Sequence, residues 1–255
     1  MVQRGISPST DAHATRFLDD PDFQYSGSEL DALRGAENYY RWLVKRFTPY
    51  LGSTVIEVGA GIGTFSEYLL KVPQVERLVA IEPGSNTFAL LEKRLDGIPN
   101  TTAIKGYLAD YPGEAAANSL VAVNVLEHVQ QDAEFIHKAR DVVVANGTLM
   151  LFVPALPAIF GSLDRAFEHF RRYTRPQLRR LIEDAGWTIE RISYMNVMGI
   201  LPWFVAGRLL KRKSISDREA RAFDRFVVPI TAAIEDRVEM PIGQSILAVA
   251  RKRSG

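Results

Sequence analysis

The 255-residue sequence has no cysteine, which excludes disulfides, thiolate metal sites and cysteine nucleophiles together. It also lacks the roughly 18 uninterrupted apolar residues that a membrane-spanning helix needs. The longest candidate, Tyr194 to Leu210, is broken by Asn196, Pro202 and Arg208. Excess charge of one sign is missing too. With 31 basic against 30 acidic side chains the formal net charge is +1, so no global field draws the chain to nucleic acid or an anionic membrane. Met1 to Tyr25 shows no apolar core of a secretory signal, and a cytoplasmic protein is expected. Histidine is scarce, at 13, 128, 137 and 169 only. No carboxylate cluster or histidine pair at ligand spacing points to a metal.

What is present suits a globular chain. Apolar residues make up 47% and charged residues 24%, enough to bury a substantial core in a single domain spanning 1–255. Residues 1–28 read as a loose arm. Ala36, Tyr40, Leu43 and Phe47 recur at helical spacing until Pro49 stops the helix. Short β-branched runs then alternate with helical stretches. The expected strands are Thr54–Val58, Arg77–Glu82, Thr101–Lys105, Ser119–Val125, Thr148–Val153, Thr188–Tyr194 and Ser245–Ala250. The expected helices lie near Thr64–Val72, Ser85–Leu95, Ala133–Val144 and Arg175–Ala185, with Gly97, Gly147 and Gly186 where helices should end. Such alternation predicts an α/β fold with a mostly parallel sheet covered on both faces, because each parallel connection requires a crossover. The chain divides into an arm and helix (1–52), a core sheet (53–195), a lid insertion (196–242) and a final strand and tail (243–255). Residues 154–174 form a second interruption.

Val55-Ile-Glu-Val-Gly-Ala-Gly-Ile-Gly-Thr-Phe-Ser66 passes from a strand through three glycines into a helix. Bare backbone there permits a sharp turn and close ligand approach, and helix-start amides favour an anionic group. The third glycine falls one residue earlier than a pyrophosphate cradle requires, and no Lys-Ser/Thr pair follows for a phosphate loop. Glu82 closes the second strand nineteen positions after Gly63, where a carboxylate can accept from both hydroxyls of a ribose. A nucleoside ligand follows from the pair, against the plainer alternatives of a tight turn and a solvated strand-end charge.

These residues resemble the class I S-adenosylmethionine-dependent methyltransferases over most of 36–250. The resemblance rests on Glu57-Val-Gly-Ala-Gly-Ile-Gly63, Ile81-Glu82-Pro83, Leu108-Ala109-Asp110 and Asn124-Val-Leu-Glu-His-Val129. It implies a Rossmann-like, seven-stranded sheet ordered 3-2-1-4-5-7-6 with its last strand antiparallel, helices on both faces and a helical lid. It implies S-adenosylmethionine as cofactor and S-adenosylhomocysteine as product. Carried to matching positions, Glu57, Gly59, Ala60, Gly61 and Gly63 cradle the methionyl part, and Glu82 with Pro83 holds the ribose. Ala109 and Asp110 lie near the adenine amine, while Asn124, Leu126, Glu127 and His128 line the reaction face. The stretch Glu168-His-Phe-Arg-Arg-Tyr-Thr174 resembles a bacterial small-molecule subgroup whose usual run is closer to Gly-His-Tyr-Arg-Arg-Tyr, from which Glu168 and Phe170 depart.

Methyl transfer from a sulfonium is an in-line displacement in which alignment is the protein's main contribution, and a hydroxyl acceptor also gains from a base. His128, after the fourth strand, and His169 are the candidate catalytic groups; their plainer readings are a helix-start residue and a structural one. His137 reads as exposed. Arg171, Arg172 and Tyr173 are candidates for holding the acceptor, although Arg171, Arg172, Arg175, Arg179 and Arg180 also read as a solvated helix face with Thr174 as N-cap and Pro176 in the first turn. Tyr39 and Trp42 either close over the cofactor or pack in the core. The apolar run from Tyr194 to Lys213, with Trp203, reads as an ordinary packed lid helix, the roof of an apolar acceptor pocket, or a peripheral membrane contact.

The expected function is methylation of an oxygen or nitrogen nucleophile on a small, lipid-like or glycosylated metabolite. Nicotinamide-dependent oxidoreduction, a non-catalytic binding or partner role, and nucleic-acid methylation are the rivals. The last is disfavoured by the balanced charge.

Overall fold

The computed structural model describes Gln24 and residues 35–113 and 116–253; His13 and most of the expected arm lie outside the described residues. Seven strands form one sheet: β1 Thr54–Val58, β2 Arg77–Glu82, β3 Thr101–Lys105, β4 Ala117–Val123, β5 Val143–Pro154, β6 Thr188–Met195 and β7 Ser245–Arg251. Their order is β3-β2-β1-β4-β5-β7-β6. The first five pair in parallel, and β7 runs antiparallel to both β5 and β6.

Alternate side chains of a strand point to opposite faces, and here both faces are buried. Ile56 and Val58 of β1, with Val79, Ile81 and Leu120, face a core closed by Phe135, Ile136, Leu178 and Trp187. Val55, Leu78, Val121, Phe152 and Leu247 face the opposite core. That second core is covered by helix α1 (Glu37–Phe47) through Tyr40, Trp42, Leu43 and Phe47, and by α2 (Thr64–Leu69) through Phe65 and Leu69. Helix α3 (Ser85–Leu95) sets Leu91 and Leu95 against Ala80. Helix α4 (Asp132–Val142) carries Phe135 and Ile136.

Several boundaries differ from the sequence expectation. Strand β4 stops at Val123 rather than Val125 because Asn124 turns the chain with φ +52°, a conformation Asn tolerates better than β-branched residues do. Helix α4 ends at Val142, and β5 begins at once, two residues before Val144 was expected to end the helix. Gly147 therefore lies inside β5 beside a register shift, with Asn146 at φ +62°. Gly97 and Gly186 do follow helices, at φ +73° and +81°.

The two interruptions pack on each other above the carboxyl edge of the sheet. Between β5 and β6 come α5 (Ser162–Ala166) and α6 (Arg175–Asp184). The chain returns so that Tyr173 N–H donates to Pro154 O at 2.9 Å. Between β6 and β7 lie α7 (Ile200–Phe204), a π turn (Val205–Leu209), α8 (Asp217–Phe226) and α9 (Val228–Glu235). Ser162 Oγ donates to Gly207 O at 2.9 Å, joining the two segments. Asp224 on α8 accepts from the backbone N–H of Asn38 and Tyr39 at 3.1 and 2.8 Å. A carboxylate at the positive end of α1 is favourable, so this clamp fixes helix and lid to each other. Among the described residues no helix is long and apolar enough to cross a membrane.

Candidate active site

The carboxyl ends of parallel strands are where open α/β sheets bind ligands, and two cavities meet there. The first, about 420 Å³, is lined by Glu57 to Ile62, Glu82 and Pro83, the turn Gly106 to Ala109, and Val123 to Val125 with His128. Its size lies in the range of small-molecule clefts. Its floor is the glycine loop, where Gly59, Gly61 and Gly63 take φ of +68°, +56° and +80°. That alternation folds the chain tightly between β1 and α2, and a side chain at these positions would be strained. Gly59 and Gly61 line the cleft, whereas Gly63 lies beneath it, where an added Cβ would meet Leu91 at 2.9 Å and Arg94 at 3.1 Å.

Glu82 is 5% exposed. Its Oε2 accepts from Gly61 N–H at 2.8 Å, and its Oε1 from Gly84 N–H at 2.9 Å and Thr87 Oγ1 at 2.8 Å. Burial raises its pKa, against the lowering effect of those three bonds. A carboxylate has about four lone-pair sites, so Oε2 retains acceptor capacity for a ligand hydroxyl. At the other end of the loop, burial pushes the Glu57 carboxyl up to about 8, although Ser66 Oγ donates to it. An incoming ammonium would favour its charged form. A glycine floor flanked by two buried acidic side chains, Glu57 and Glu82, fits S-adenosylmethionine.

The other sequence candidates divide clearly. Ala60, Pro83, Ala109 and Asn124 line the cleft with the glycines. Asp110 does not: it accepts from Tyr107 N–H at 2.8 Å and caps the turn Leu108–Asp110. Leu126 is fully buried in the core. From α1 it is Tyr40 that borders the cleft, while Tyr39 borders the second cavity and Trp42 packs in the core. Apolar periodicity alone does not separate two adjacent tyrosines on a helix.

The second cavity, about 370 Å³, is walled by Tyr39, Phe167, Trp203, Phe223 and Val228, with His169, Arg172 and Glu127 among its polar groups; Asn124 borders both cavities. Asp164 organises this wall. It accepts from Arg172 Nε at 2.6 Å, Gly161 N–H at 2.8 Å and Trp203 Nε1 at 3.3 Å, and His169 Nδ1 lies 3.1 Å away. Burial alone would raise its pKa, but the bonds from His169 and Gly161 and the Arg172 charge hold it below the usual carboxylate value. An ionised Asp164 can only accept, so His169 Nδ1 donates to it. The Arg172 guanidinium also donates to Ala155 O at 2.8 Å and stands 4.7 Å from the Trp203 ring centre.

Arg171 turns away, pairing with Asp132 at 2.7 Å and donating to Gln130 O at 2.7 Å. Tyr173 is buried, donating to Leu126 O at 3.1 Å and Asp132 Oδ2 at 2.9 Å. Both brace α4 rather than line a cavity. Thr174 caps α6 by accepting from Gln177 N–H, and Arg179 pairs with Glu183 on the exposed helix face. His137 is exposed. In the lid, Pro202, Trp203 and Ala206 line the second cavity, whereas Leu201, Leu209 and Leu210 are 63–68% exposed.

A family model described as a methyltransferase domain matches residues 33–192. A search of the curated proteins finds no match. Among solved structures, a SAM-dependent methyltransferase from Archaeoglobus fulgidus aligns with a TM-score of 0.59 at 14% identity, covering 88% of this chain and 99% of its own. Phosphoethanolamine N-methyltransferase 2 from Haemonchus contortus, in complex with S-adenosylmethionine, aligns at 0.58 and 13% identity, covering 85% and 53%. The cyclase SpnF aligns at 0.58 and 15% identity, covering 93% and 99%. At such identities the likeness shows the fold, and SpnF shows that the fold alone does not fix the reaction.

Proposed function

The chain belongs to the class I S-adenosylmethionine-dependent methyltransferases, and on that footing we propose that it methylates an oxygen or nitrogen nucleophile of a small molecule seated in the second cavity. The observation that carries this reading is the shared wall. Asn124 borders both cavities, and the rings of His128, from the first, and His169, from the second, stand 4.9 Å apart between centres. A donor in one and an acceptor in the other can therefore approach at a single point.

S-adenosylmethionine, when bound, supplies an electrophilic methyl group on a sulfonium. The chain's own residues do the rest. The loop from Gly59 to Gly61 and the carboxyl of Glu57 hold the amino-acid portion, and Glu82 accepts from the ribose. Tyr40 and Phe65 flank the cleft and exclude water. His128 and His169 meet the acceptor's nucleophilic atom, and Arg172 and Trp203 stand beside His169 on the wall that Asp164 organises. The reaction gains mainly from alignment at near-contact distance, which can supply several kcal/mol. The aromatic walls suit an acceptor with an apolar body, lipid-like or glycosylated with an apolar aglycone. Net charge near zero argues against a nucleic-acid acceptor.

Tryptophan-fluorescence titration with S-adenosylhomocysteine and with NADH tests the cofactor, and radiolabelled methyl transfer into fractionated small-molecule extract tests the reaction. Saturable S-adenosylhomocysteine binding with label in a small-molecule fraction is expected. Preference for NADH, or cofactor binding with no transfer to any fraction, overturns the proposal.

A further inference from the structure

The fold brings together a set of groups that linear spacing gave no reason to associate. Glu127 and His128 follow β4, and His169 lies beyond β5 and α5, yet one ligand atom from each falls within 4.8 Å of the others. We infer that Glu127, His128 and His169 bind one divalent transition-metal cation at the seam of the two cavities, and that this cation takes a hydroxyl of the acceptor as a further ligand. The inference deepens the methyltransferase reading and rests on it for the acceptor's role.

Four observations support it. First, the donor set is two imidazoles and one carboxylate, which suits zinc-like and manganese-like ions and leaves coordination positions open on one side. Metal–ligand bonds of about 2.0–2.2 Å place neighbouring donors about 3–4 Å apart, so small side-chain rotations close the observed spacing. Second, the outer layer is in place. His169 directs Nδ1 at Asp164, which also takes Arg172, Gly161 and Trp203. Metal-binding histidines commonly hand their second nitrogen to a carboxylate in this way, which fixes ring orientation and raises ligand basicity. Third, the backbone ties the two ligand segments to each other: Phe170 N–H, next to His169, donates to Glu127 O at 2.9 Å. Fourth, the position is chemically useful. Glu127 and His169 border the acceptor cavity and His128 the donor cleft, so an ion there faces both reactants.

A coordinated hydroxyl ionises more readily than a free one. Its proton leaves to solvent, and its oxygen then forms the new bond to carbon. The carbon–sulfur bond breaks with its electron pair passing to sulfur, giving a methyl ether, S-adenosylhomocysteine and one proton. The acceptor is accordingly a hydroxyl compound methylated on oxygen.

The test uses the whole chain freed of metal by chelation. Calorimetry with Zn2+ and visible spectroscopy with Co2+ are expected to show one ion per chain. Affinity should fall at least about 100-fold in Glu127→Gln and His169→Ala, and about 10- to 100-fold in Asp164→Asn. It should not change in His137→Ala. Catechol, a hydroxyl probe, should shift the Co2+ bands. Circular dichroism and S-adenosylhomocysteine calorimetry on each variant report folding and the donor cleft separately. Absence of stoichiometric binding, or binding untouched by both Glu127→Gln and His169→Ala in folded protein, overturns the site, and Co2+ bands unmoved by catechol overturn the hydroxyl ligand. Metal binding by a chain that ignores S-adenosylhomocysteine would sink the methyltransferase reading while leaving the metal site standing.

Discussion

The two cavities are built by different means. The first cavity, the donor cleft of the proposal, has its floor in the glycine turn at the tip of β1 and is bordered by the ends of β2 and β4, with acidic side chains held by neighbouring hydroxyls and amides. The second cavity, the acceptor site of the proposal, draws its lining from α1, the turn after β4, the β5–β6 connection, the lid and the start of β7. A ligand common to a whole family can be gripped by backbone shape, which tolerates sequence change everywhere except at the glycines. A ligand particular to one protein has to be read by side chains, and these come from insertions whose order in the chain carries no fixed spacing.

That contrast predicts unequal responses to mutation. The largest is expected at Gly61→Val, which puts a β-branched side chain at φ +56° on the cleft floor. The backbone strain alone is about 1–2 kcal/mol, and the new side chain occupies ligand space. S-adenosylhomocysteine affinity by calorimetry should drop beyond about 100-fold while circular dichroism stays native. Retained affinity would mean that the loop is only a turn. Next is Glu82→Ala, with an expected loss of about 1–3 kcal/mol in the same assay from unmet polar partners; unchanged affinity would remove Glu82 from the cofactor site.

The third concerns pH. Burial pushes the Glu57 carboxyl up to about 8 in the folded protein, from its ordinary 4.5. The folded protein thus holds a proton that the unfolded chain has released, and stability should decline as pH rises from about 4.5 to 8. Glu57→Gln removes that decline, so the melting temperature of the variant should gain on the parent's across this interval. Parallel curves would place Glu57 in a more solvated setting. The smallest response is expected for Arg179→Ala, whose exposed pair with Glu183 is worth less than about 0.5 kcal/mol. A larger loss in thermal unfolding, or any change in ligand binding, would give the exposed arginines of α6 a role that their placement does not suggest.

Much of the donor cleft was legible in the sequence because its determinants are local. A glycine that must adopt positive φ, and an acid at the last position of a buried strand, announce themselves within a dozen residues. Asp110 shows the limit, since the residue type suits an adenine contact but its side chain caps the turn at Tyr107 and is not among the residues lining the cleft. Arg171 and Arg172 show it more sharply: adjacent and identical in type, one braces α4 through Asp132 and the other is buried against Asp164 and Trp203. The meeting of Glu127, His128 and His169 left no trace in spacing, because helix α4, strand β5, a 3-10 turn and the short helix α5 lie between the first two and the third.

The amino-acid pattern by itself determined the alternating elements, the two buried faces of the sheet and the glycine turn, since hydrogen-bond periodicity and backbone freedom are properties of short segments. Tertiary structure alone decided which side chains of 154–174 and 196–242 converge above the strand tips. Their positions follow from closures such as Asp224 onto α1, which joins residues far apart in the chain, and Asp164 onto His169 and Arg172.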